Sequence, residues 1–334
     1  MKKVVSFSGG RTSAYLCHLI IERYGVENVE IVFMDTGFEH PSTYNFIRDC
    51  NKWLKSQITF LRGDFSMPLG GGVHYNVVGD RAIGCDGEPF ADMMAKYGAP
   101  YIGGMFCTDR MKLKPFKKYC DDKYGKGNYE TWLGIRHDEP KRLWGDNRKS
   151  TKSAYRQLLA CGFDDYEMAA LFADLRDGSR SLDEVGNLSC LAMELIDIRL
   201  KSLSKDGLNY LSQISEFEKQ DVLNFWSKTP FDLEIPEHLG NCVFCPKKSN
   251  LKLAAAQRDE PELYIKWLEM LYSDSVRVDD KTGRWSKMYR GKQSLENLIA
   301  TFDGSTGDEI KARMRGAKHL DTGSCSESCE VFCD

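Results

Sequence analysis

The hydrophobic positions near the start of the chain alternate between short continuous runs and helical spacing. Residues 3–7 form a short run rich in β-formers, which predicts a strand, and residues 15–20 repeat apolar side chains at three- and four-residue intervals, which predicts a helix. Runs at residues 29–34 and 58–61 predict two more strands, with a helical stretch from Pro41 between them. Strands and helices that alternate in this way form right-handed βαβ units. We therefore predict an α/β protein with a doubly wound parallel sheet.

The pattern changes along the chain and divides it into three predicted parts. Residues 1–145 carry the strand–helix alternation, although residues 63–106 are rich in glycine and too long for an ordinary connection, which predicts an active-site flap. Residues 146–210 are more polar and weakly periodic, which predicts a helical insertion. Residues 211–334 are predicted to form a C-terminal helical region with a Cys-x-x-Cys motif and a cysteine-rich tail.

Composition and charge narrow the classes of function. The 334-residue chain is 42% hydrophobic and 28% charged, which excludes a disordered or fibrous protein. Its apolar runs are far shorter than the ~18 residues of a membrane span, and the first one is too short for a signal peptide. We therefore expect a soluble cytoplasmic protein with no membrane partner. The net charge of −3 supplies no global positive field for nucleic acid, although a local basic patch could bind it.

The turn between the first strand and its helix predicts a phosphate site. It reads Ser8, Gly9, Gly10, Arg11, Thr12 and Ser13. Main-chain N–H groups at a helix N-terminus attract anions, and glycine lets a phosphate approach the backbone. The turn lacks the Gly-Lys-Ser/Thr of a Walker loop and the spacing of the dinucleotide fingerprint. The alternative is a tight turn without a ligand, and the three hydroxyl side chains favour the phosphate.

A carboxylate follows the second predicted strand. Asp35, Thr36 and Gly37 lie at its carboxyl end, the edge of an open α/β sheet at which ligands bind. The two loops are therefore predicted to face one cleft. Asp35 could bind Mg²⁺ or hydrogen-bond a ribose hydroxyl, and the alternative is an aspartate that only forms the turn.

Cationic residues supply further candidates for contact with phosphate. Arg136 follows a predicted strand, and its planar guanidinium could hold a phosphate bidentately, with an ion pair to Glu139 as the alternative. A second group lies within nine residues and could either meet phosphate oxygens or form a solvated surface: Arg110, Lys112, Lys114, Lys117 and Lys118.

Twelve cysteines in a cytosolic chain of this size indicate thiols and metal ligands rather than disulfides. Cys242 and Cys245 have the spacing that lets two thiolates share one metal. The tail adds Cys325, Cys329 and Cys333. A redox-active pair at Cys242 and Cys245 is the alternative.

These motifs together resemble the phosphoadenosine-phosphosulfate (PAPS) reductase-like family of PP-loop proteins, which have the adenine nucleotide alpha hydrolase-like fold. The resemblance lies in residues 1–145 and 220–272. It is carried by the turn at residues 8–13, the Asp-Thr-Gly-x-x-x-Pro-x-Thr segment from Asp35 to Thr43, Cys107-Thr108 with Lys112, Lys114 and Pro115, residues 134–139 before Arg142, and residues 242–247.

The resemblance implies that the chain binds an adenine nucleotide, either ATP or a PAPS-like molecule, with Mg²⁺ on the phosphates. The implied nucleotide contacts are the six turn residues, Asp35, Thr36, Gly37, Lys112 and Arg136, with Asp35 and Arg136 as the catalytic candidates. Thr12 stands where ATP pyrophosphatases of the family usually have Asp, which removes a carboxylate that could bind Mg²⁺.

The resemblance also implies that Cys107 is a cluster ligand. Together with Cys242, Cys245 and one tail cysteine, Cys329 or else Cys325 or Cys333, it would complete a Cys₄ site for a [4Fe–4S] cluster, with Zn²⁺ as the alternative.

Three functions are compatible with these features. The first is ATP-dependent adenylation and sulfur transfer to a nucleobase or nucleic acid, with a sulfur-donor protein as a further partner. The second is reduction of PAPS or its unphosphorylated relative (APS) with release of sulfite, although the segment from Cys325 to Cys329 does not match the Glu-Cys-Gly-x-His tail of such reductases. The third is a non-catalytic nucleotide-binding module.

Overall fold

A six-stranded sheet lies at the centre of the fold in a computed structural model that describes residues 1–55, 57–102, 106–146, 153–278 and 289–316. The strands follow the spatial order β4-β3-β2-β1-β5-β6. Their bounds are β1 (Lys2–Phe7), β2 (Val29–Met34), β3 (Ile58–Asp64), β4 (His74–Val78), β5 (Tyr129–Leu133) and β6 (Leu208–Tyr210). All pairs are parallel except that of β4 with β3. The predicted α/β class is confirmed, but the sheet is mostly rather than wholly parallel, because the edge strand β4 runs antiparallel to β3.

Helices connect and cover the strands. They are α1 (Arg11–Tyr24), α2 (Pro41–Trp53), α3 (Glu88–Tyr97), α4 (Lys114–Tyr124), α5 (Pro140–Trp144), α6 (Ala154–Ala160), α7 (Asp165–Asp177), α8 (Cys190–Lys205), α9 (Lys219–Trp226), α10 (Asn250–Asp259), α11 (Pro261–Leu271), α12 (Leu295–Ala300) and α13 (Gly307–Gly316), with a π-helical turn at Thr108–Leu113 and 3₁₀ turns at Val26–Asn28, Leu182–Glu184, Leu211–Gln213 and Glu237–Leu239. Among the described helices, none combines the length and the apolar character needed to cross a lipid bilayer.

The central strands are buried on both faces of the sheet because successive side chains of a strand point to opposite sides. Val5 and Phe33 pack in a cluster with α1, α2 and α9. Val4 and Val32 instead pack in a cluster with α4, around Phe116. This two-sided burial is typical of parallel sheets, and it explains why these strands have continuous rather than alternating apolar sequences.

Two further clusters extend the core beyond the central strands. Phe38 and Phe90 pack against Trp267, with ring centroids 4.7 and 5.0 Å away, so α3 and the C-terminal helices form one layer. In the other cluster, α5 to α8 pack around Trp144, whose indole N–H donates to the Met168 carbonyl at 2.9 Å. This second layer ends in β6, which joins the sheet beside β5.

A half-buried glutamate ties β2 to α4. The carboxylate of Glu30 accepts hydrogen bonds from Tyr119 at 2.6 Å, Tyr124 at 2.7 Å, Thr59 at 2.8 Å and Lys123 at 3.0 Å. Burial alone would raise the pKa of Glu30, but these hydrogen bonds lower it on balance. The charged form of Glu30 therefore stabilises the fold.

Replacing Glu30 with Gln is expected to lower the free energy of unfolding by about 1–3 kcal/mol near neutral pH, because charge-assisted hydrogen bonds are lost. The folded-state pKa is lowered, so this stabilisation is present above the unfolded-state pKa of about 4.3 and disappears as pH falls through the folded-state value. Urea unfolding of both proteins across the acidic range measures the difference. If the difference in free energy of unfolding between wild type and variant stays constant down to strongly acidic pH, the charged form of Glu30 does not stabilise the fold.

Candidate functional site

The loop between β1 and α1 leaves main-chain N–H groups open to an anion. Gly10 is the N-cap of α1 and makes no side-chain cap, so the first N–H groups of the helix have no capping side chain there. Gly9 has a φ of +82°, and a Cβ atom at that position would lie 2.9 Å from Cδ1 of Ile47. Glycine is therefore required at position 9, both for the backbone conformation and for close packing against α2.

The serine hydroxyls of this loop hold its shape. Ser13 Oγ accepts from the Ser8 N–H at 3.1 Å, lies 2.8 Å from Ser8 Oγ and donates to the Gly10 carbonyl at 3.0 Å. Arg11 points elsewhere: its guanidinium binds the carboxylate of Asp232, with Nε 2.6 Å from Oδ1, and the Leu233 carbonyl. The side chains of Ser13 and Arg11 are thus engaged within the protein.

A cavity of about 200 Å³ opens at this loop. One part of its wall consists of loop residues from Ser8 to Thr12 together with Thr43 and Arg136. The rest is formed by Glu39 and by residues of the segment 219–241, which are Lys219, Val222, Leu223, Leu233, Ile235, Pro236, Glu237, Gly240 and Asn241. The cavity therefore has a polar, cationic wall and an apolar wall that are far apart in sequence.

Arg136 brings a nearly buried guanidinium to the cavity wall. It follows β5 and is only 6% exposed. Its Nη1 donates to Thr12 Oγ1 at 3.2 Å, and its Nε donates to Asp138 Oδ1 at 2.7 Å. Glu139 is not its main ion-pair partner, because the Arg136 Nη1 to Glu139 Oε2 distance is 3.9 Å and Glu139 binds Arg142 at 2.6 Å. The structure thus brings Arg136 to the glycine loop.

Asp35 is fully buried and is not among the residues that line the cavity. Its Oδ1 accepts from Tyr44 at 2.7 Å and from the Gly37 N–H at 2.9 Å, and its Oδ2 accepts from Arg62 at 2.8 Å. Burial raises its pKa, which the bonds from Tyr44 and Arg62 oppose. These contacts favour the turn-forming alternative over a ligand to Mg²⁺ or ribose.

Thr36 and Gly37 also lie outside the cavity lining. Thr36 Oγ1 is 3.6 Å from the thiol of Cys242, and a Cβ at Gly37 would lie 2.6 Å from Cδ of Pro89. The predicted cleft shared by the two loops instead receives Glu39 and Thr43, which lie later in the same segment. Both residues lie within the family motif from Asp35 to Thr43, but no local pattern distinguishes them as cavity residues.

Glu39 connects the cavity to residues behind it. It is 2% exposed and lies 3.6 Å from Nζ of Lys112, which is itself buried. The same carboxylate oxygen is 3.6 Å from the thiol of Cys242. Lys112, predicted to contact the nucleotide, thus reaches the cavity wall through Glu39.

The other cationic candidates and the predicted flap lie away from the cavity. Lys114 pairs with Asp109 at 3.2 Å, and Lys118 pairs with Asp122 at 2.8 Å.

Within residues 63–102, which belong to the predicted flap, β4 extends the sheet and α3 packs in the core, and no described residue of that stretch lines the cavity. The described part of the predicted flap thus contributes to the sheet and the core, and a role as an active-site flap stays a prediction.

Three of the predicted metal ligands surround Tyr289. Cys107, Cys242 and Cys245 pack in the same apolar cluster as Tyr289. Burial raises the pKa of the Tyr289 hydroxyl well above its usual range, and the negative charges of the three nearby thiolates add to that shift. Within the described part of the chain, however, no three Cys, His, Asp or Glu side chains are placed to hold one metal ion. Cys325, Cys329 and Cys333 lie outside the described residues, so the cluster with Cys329 stays a prediction.

Lys248 is a buried cation that the sequence analysis missed. Its Nζ donates to the carbonyls of His238 at 2.7 Å and Val243 at 3.0 Å. Burial lowers its pKa to about 8, and the nearby thiols of Cys245 and Cys242 oppose that shift. A lysine three residues after the Cys-x-x-Cys motif has no sequence signal that distinguishes it from the adjacent Lys247.

The mostly parallel α/β sheet with a glycine loop before α1 has the arrangement in which open α/β proteins bind ligands at the carboxyl ends of their strands. The model of the phosphoadenosine phosphosulfate reductase domain matches residues 2–66. The uncharacterized nin region protein ORF290 of Escherichia phage lambda is 40% identical over 336 residues, which cover 99% of this chain and 96% of that protein. The chain belongs to the phosphoadenosine phosphosulfate reductase-like family, as the motifs predicted.

A more distant relative matches only part of the chain. The uncharacterized protein MJ0066 of Methanocaldococcus jannaschii is 26% identical over 153 residues, which cover 46% of this chain and 25% of that protein. No solved structure matches significantly.

Proposed function

We propose that this protein is an enzyme that binds an adenine nucleotide in the cavity, with the phosphates against the loop at residues 8–13. One observation carries the proposal: the loop at the N-terminus of α1, Arg136 and Thr43 line the same cavity. Each of these groups binds phosphate oxygens in proteins. Membership in the family supports a nucleotide as the source of the phosphate.

The apolar wall suits the nucleoside part of such a ligand. Val222, Leu223 and Ile235 line the cavity on the segment that Arg11 holds against the loop through Asp232. Trp226 strengthens this attachment by donating to the main-chain carbonyl of Arg11 at 2.9 Å. An aliphatic wall beside a phosphate loop removes a flat base from water while the charged groups hold its phosphates.

Thr43 is expected to donate or accept one hydrogen bond with the ligand. It is 4% exposed and lines the cavity, and its Oγ1 has no hydrogen-bond partner among the described residues. A buried hydroxyl without a partner costs about 1–3 kcal/mol. A phosphate or ribose oxygen at the loop would satisfy it.

Thr43→Val is therefore expected to leave the free energy of unfolding unchanged or to raise it by about 1 kcal/mol, because an unpaired hydroxyl is removed. The dissociation constant of the nucleotide should rise about 5- to 10-fold. Thermal unfolding and calorimetric titration measure the two effects. Thr59→Val is the matched control, because it removes a hydroxyl bonded to Glu30 and should cost stability without affecting binding. Lost stability with normal binding in Thr43→Val would contradict the role.

The reaction that we propose is adenylation followed by sulfur transfer. An oxygen of a nucleobase or nucleic acid attacks the α-phosphorus of ATP, the bond to the β-phosphate oxygen breaks, and pyrophosphate leaves. A sulfur nucleophile then attacks the activated carbon and AMP leaves with the oxygen. Arg136 and the main-chain N–H groups would stabilise the charge that develops on the phosphates. The thiol of Cys242, 3.6 Å from Glu39 on the cavity wall, supports sulfur chemistry beside the nucleotide.

The assay is incubation of iron-reconstituted protein with ATP, sodium sulfide and either RNA or DNA oligonucleotides. We expect pyrophosphate and AMP in equal amounts and thiolated nucleoside after digestion, with Arg136→Ala inactive. ATP that remains intact with every acceptor would contradict adenylation. Tight ATP binding without turnover would instead support the non-catalytic module.

Reduction of a sulfonucleotide is the second candidate, favoured by the match of residues 2–66 to the reductase domain. In that reaction a thiolate attacks the sulfate sulfur, the sulfur–oxygen bond breaks and the nucleotide leaves; a second thiol then releases sulfite. Sulfite release from PAPS or APS in the presence of thioredoxin, with no pyrophosphate release from ATP, would favour this reaction over adenylation.

A further inference from the structure

We propose that the cavity binds its nucleotide without a divalent cation, because Arg136, Lys219 and the N-terminus of α1 line the cavity while its carboxylates are already paired within the protein. This inference rests on the proposed function and specifies the ionic form of the ligand, a metal-free polyphosphate. It replaces the Mg²⁺ expected from the sequence.

The two carboxylates that line the cavity are each held by a buried lysine. Glu39 lies 3.6 Å from Nζ of Lys112, and Glu237 accepts from Nζ of Lys252 at 3.1 Å. Both lysines are at most 5% exposed. Mg²⁺ in nucleotide sites is bound by one or two carboxylates together with the phosphates. A Mg²⁺ ion on either glutamate would displace or repel a buried ammonium group, which is costly.

The carboxylates behind the lining are engaged as well. Both oxygens of Asp35 are occupied by Tyr44, the Gly37 N–H and Arg62. Asp138 accepts from Arg136 and from the Lys219 N–H at 3.2 Å, and Asp232 binds Arg11. Over the described ranges, no three potential ligand side chains assemble into a metal site.

A guanidinium stands at the loop instead of a metal. Arg136 Nη1 donates to the neutral hydroxyl of Thr12 at 3.2 Å, and both residues line the cavity. Lys219 lines the cavity too, and the N-terminus of α1 adds a partial positive charge. Guanidinium and main-chain N–H groups hold phosphate oxygens directly, so the loop can bind a free polyphosphate.

Calorimetric titration of the wild-type chain with ATP in EDTA and in excess Mg²⁺ tests the inference. We expect the dissociation constant in EDTA to be equal to or lower than that in Mg²⁺, within about 3-fold. Binding that weakens 10-fold or more in EDTA would overturn the inference and leave the proposed function intact. An absence of binding in both buffers would overturn the proposed function, and the inference with it.

Thr12→Asp provides the second test, with Thr12→Asn as its neutral counterpart of similar size. A carboxylate at position 12 would repel free polyphosphate and supply a ligand for Mg²⁺. We expect the Asp variant to bind ATP at least 10-fold more weakly than the Asn variant in EDTA, and to recover most of that loss in Mg²⁺. Equal responses of the two variants to Mg²⁺ would contradict the inference, and thermal unfolding of both checks that they are folded.

Discussion

Replacing Arg136 with alanine is expected to weaken nucleotide binding by roughly 30- to 1,000-fold, which corresponds to about 2–4 kcal/mol. The guanidinium is almost fully buried, so its attraction for phosphate is little screened by solvent. It also lies within hydrogen-bond distance of Thr12, so it shares the cavity with the N-terminus of α1. Truncation would remove the Nη1 donor beside Thr12 and leave the carboxylate of Asp138 near the phosphates without its cation.

Two further variants distinguish direct binding of phosphate by Arg136 from a general effect of positive surface charge. Arg136→Lys keeps the charge but loses the planar fork, so its affinity should lie between those of wild type and the alanine variant. Lys118→Ala removes an exposed cation that pairs with Asp122, and it should bind nucleotide as wild type does. Equal affinities of wild type and Arg136→Ala, measured by calorimetric titration, would contradict the assignment.

Replacing Asp35 with alanine is expected to lower the free energy of unfolding by about 2–4 kcal/mol. The substitution removes the acceptor of the Tyr44 hydroxyl. It also removes one of the three carboxylates that bind Arg62, and the other two belong to Asp86 and Glu88. A guanidinium that loses a buried carboxylate keeps its desolvation cost but loses part of the compensating attraction. The loop after β2 should therefore loosen.

Asp35→Asn and Tyr44→Phe distinguish the structural role from a catalytic one. Both should destabilise the protein, the second by about 1–2 kcal/mol because only one hydrogen bond is lost. Urea unfolding gives the free energies, and nucleotide turnover is measured below the unfolding transition. An Asp35→Asn protein of wild-type stability that has lost turnover would contradict the structural role and restore Asp35 as a catalytic candidate.

Local patterns predicted the part of the site that is local in sequence. The apolar run before Ser8 and the helical spacing after Ser13 were enough to place the glycine loop between a strand and a helix. The end of β5 likewise indicated that Arg136 would lie near that loop, because β5 pairs in parallel with β1 and their carboxyl ends share one edge.

The remainder depends on contacts between distant segments, which periodicity does not encode. Leu233 and Ile235 line the cavity on a segment that Arg11 binds at Asp232, more than two hundred positions away. Asp35 looked like a ligand because nothing in its own segment shows that Arg62, on the neighbouring strand, would neutralise it. The pairing of Glu39 and Glu237 with lysines could not be predicted for the same reason, because each lysine lies on a different segment.

The most direct measurement is a crystal structure of the chain soaked with a non-hydrolysable ATP analogue in the presence of EDTA. We expect phosphate oxygens within hydrogen-bond distance of the main-chain N–H groups at the start of α1 and of the Arg136 guanidinium, with the base beside Val222 and Ile235. An analogue bound elsewhere on the protein, with the cavity at residues 8–13 closed to it, would contradict the assignment of this cavity as the nucleotide site.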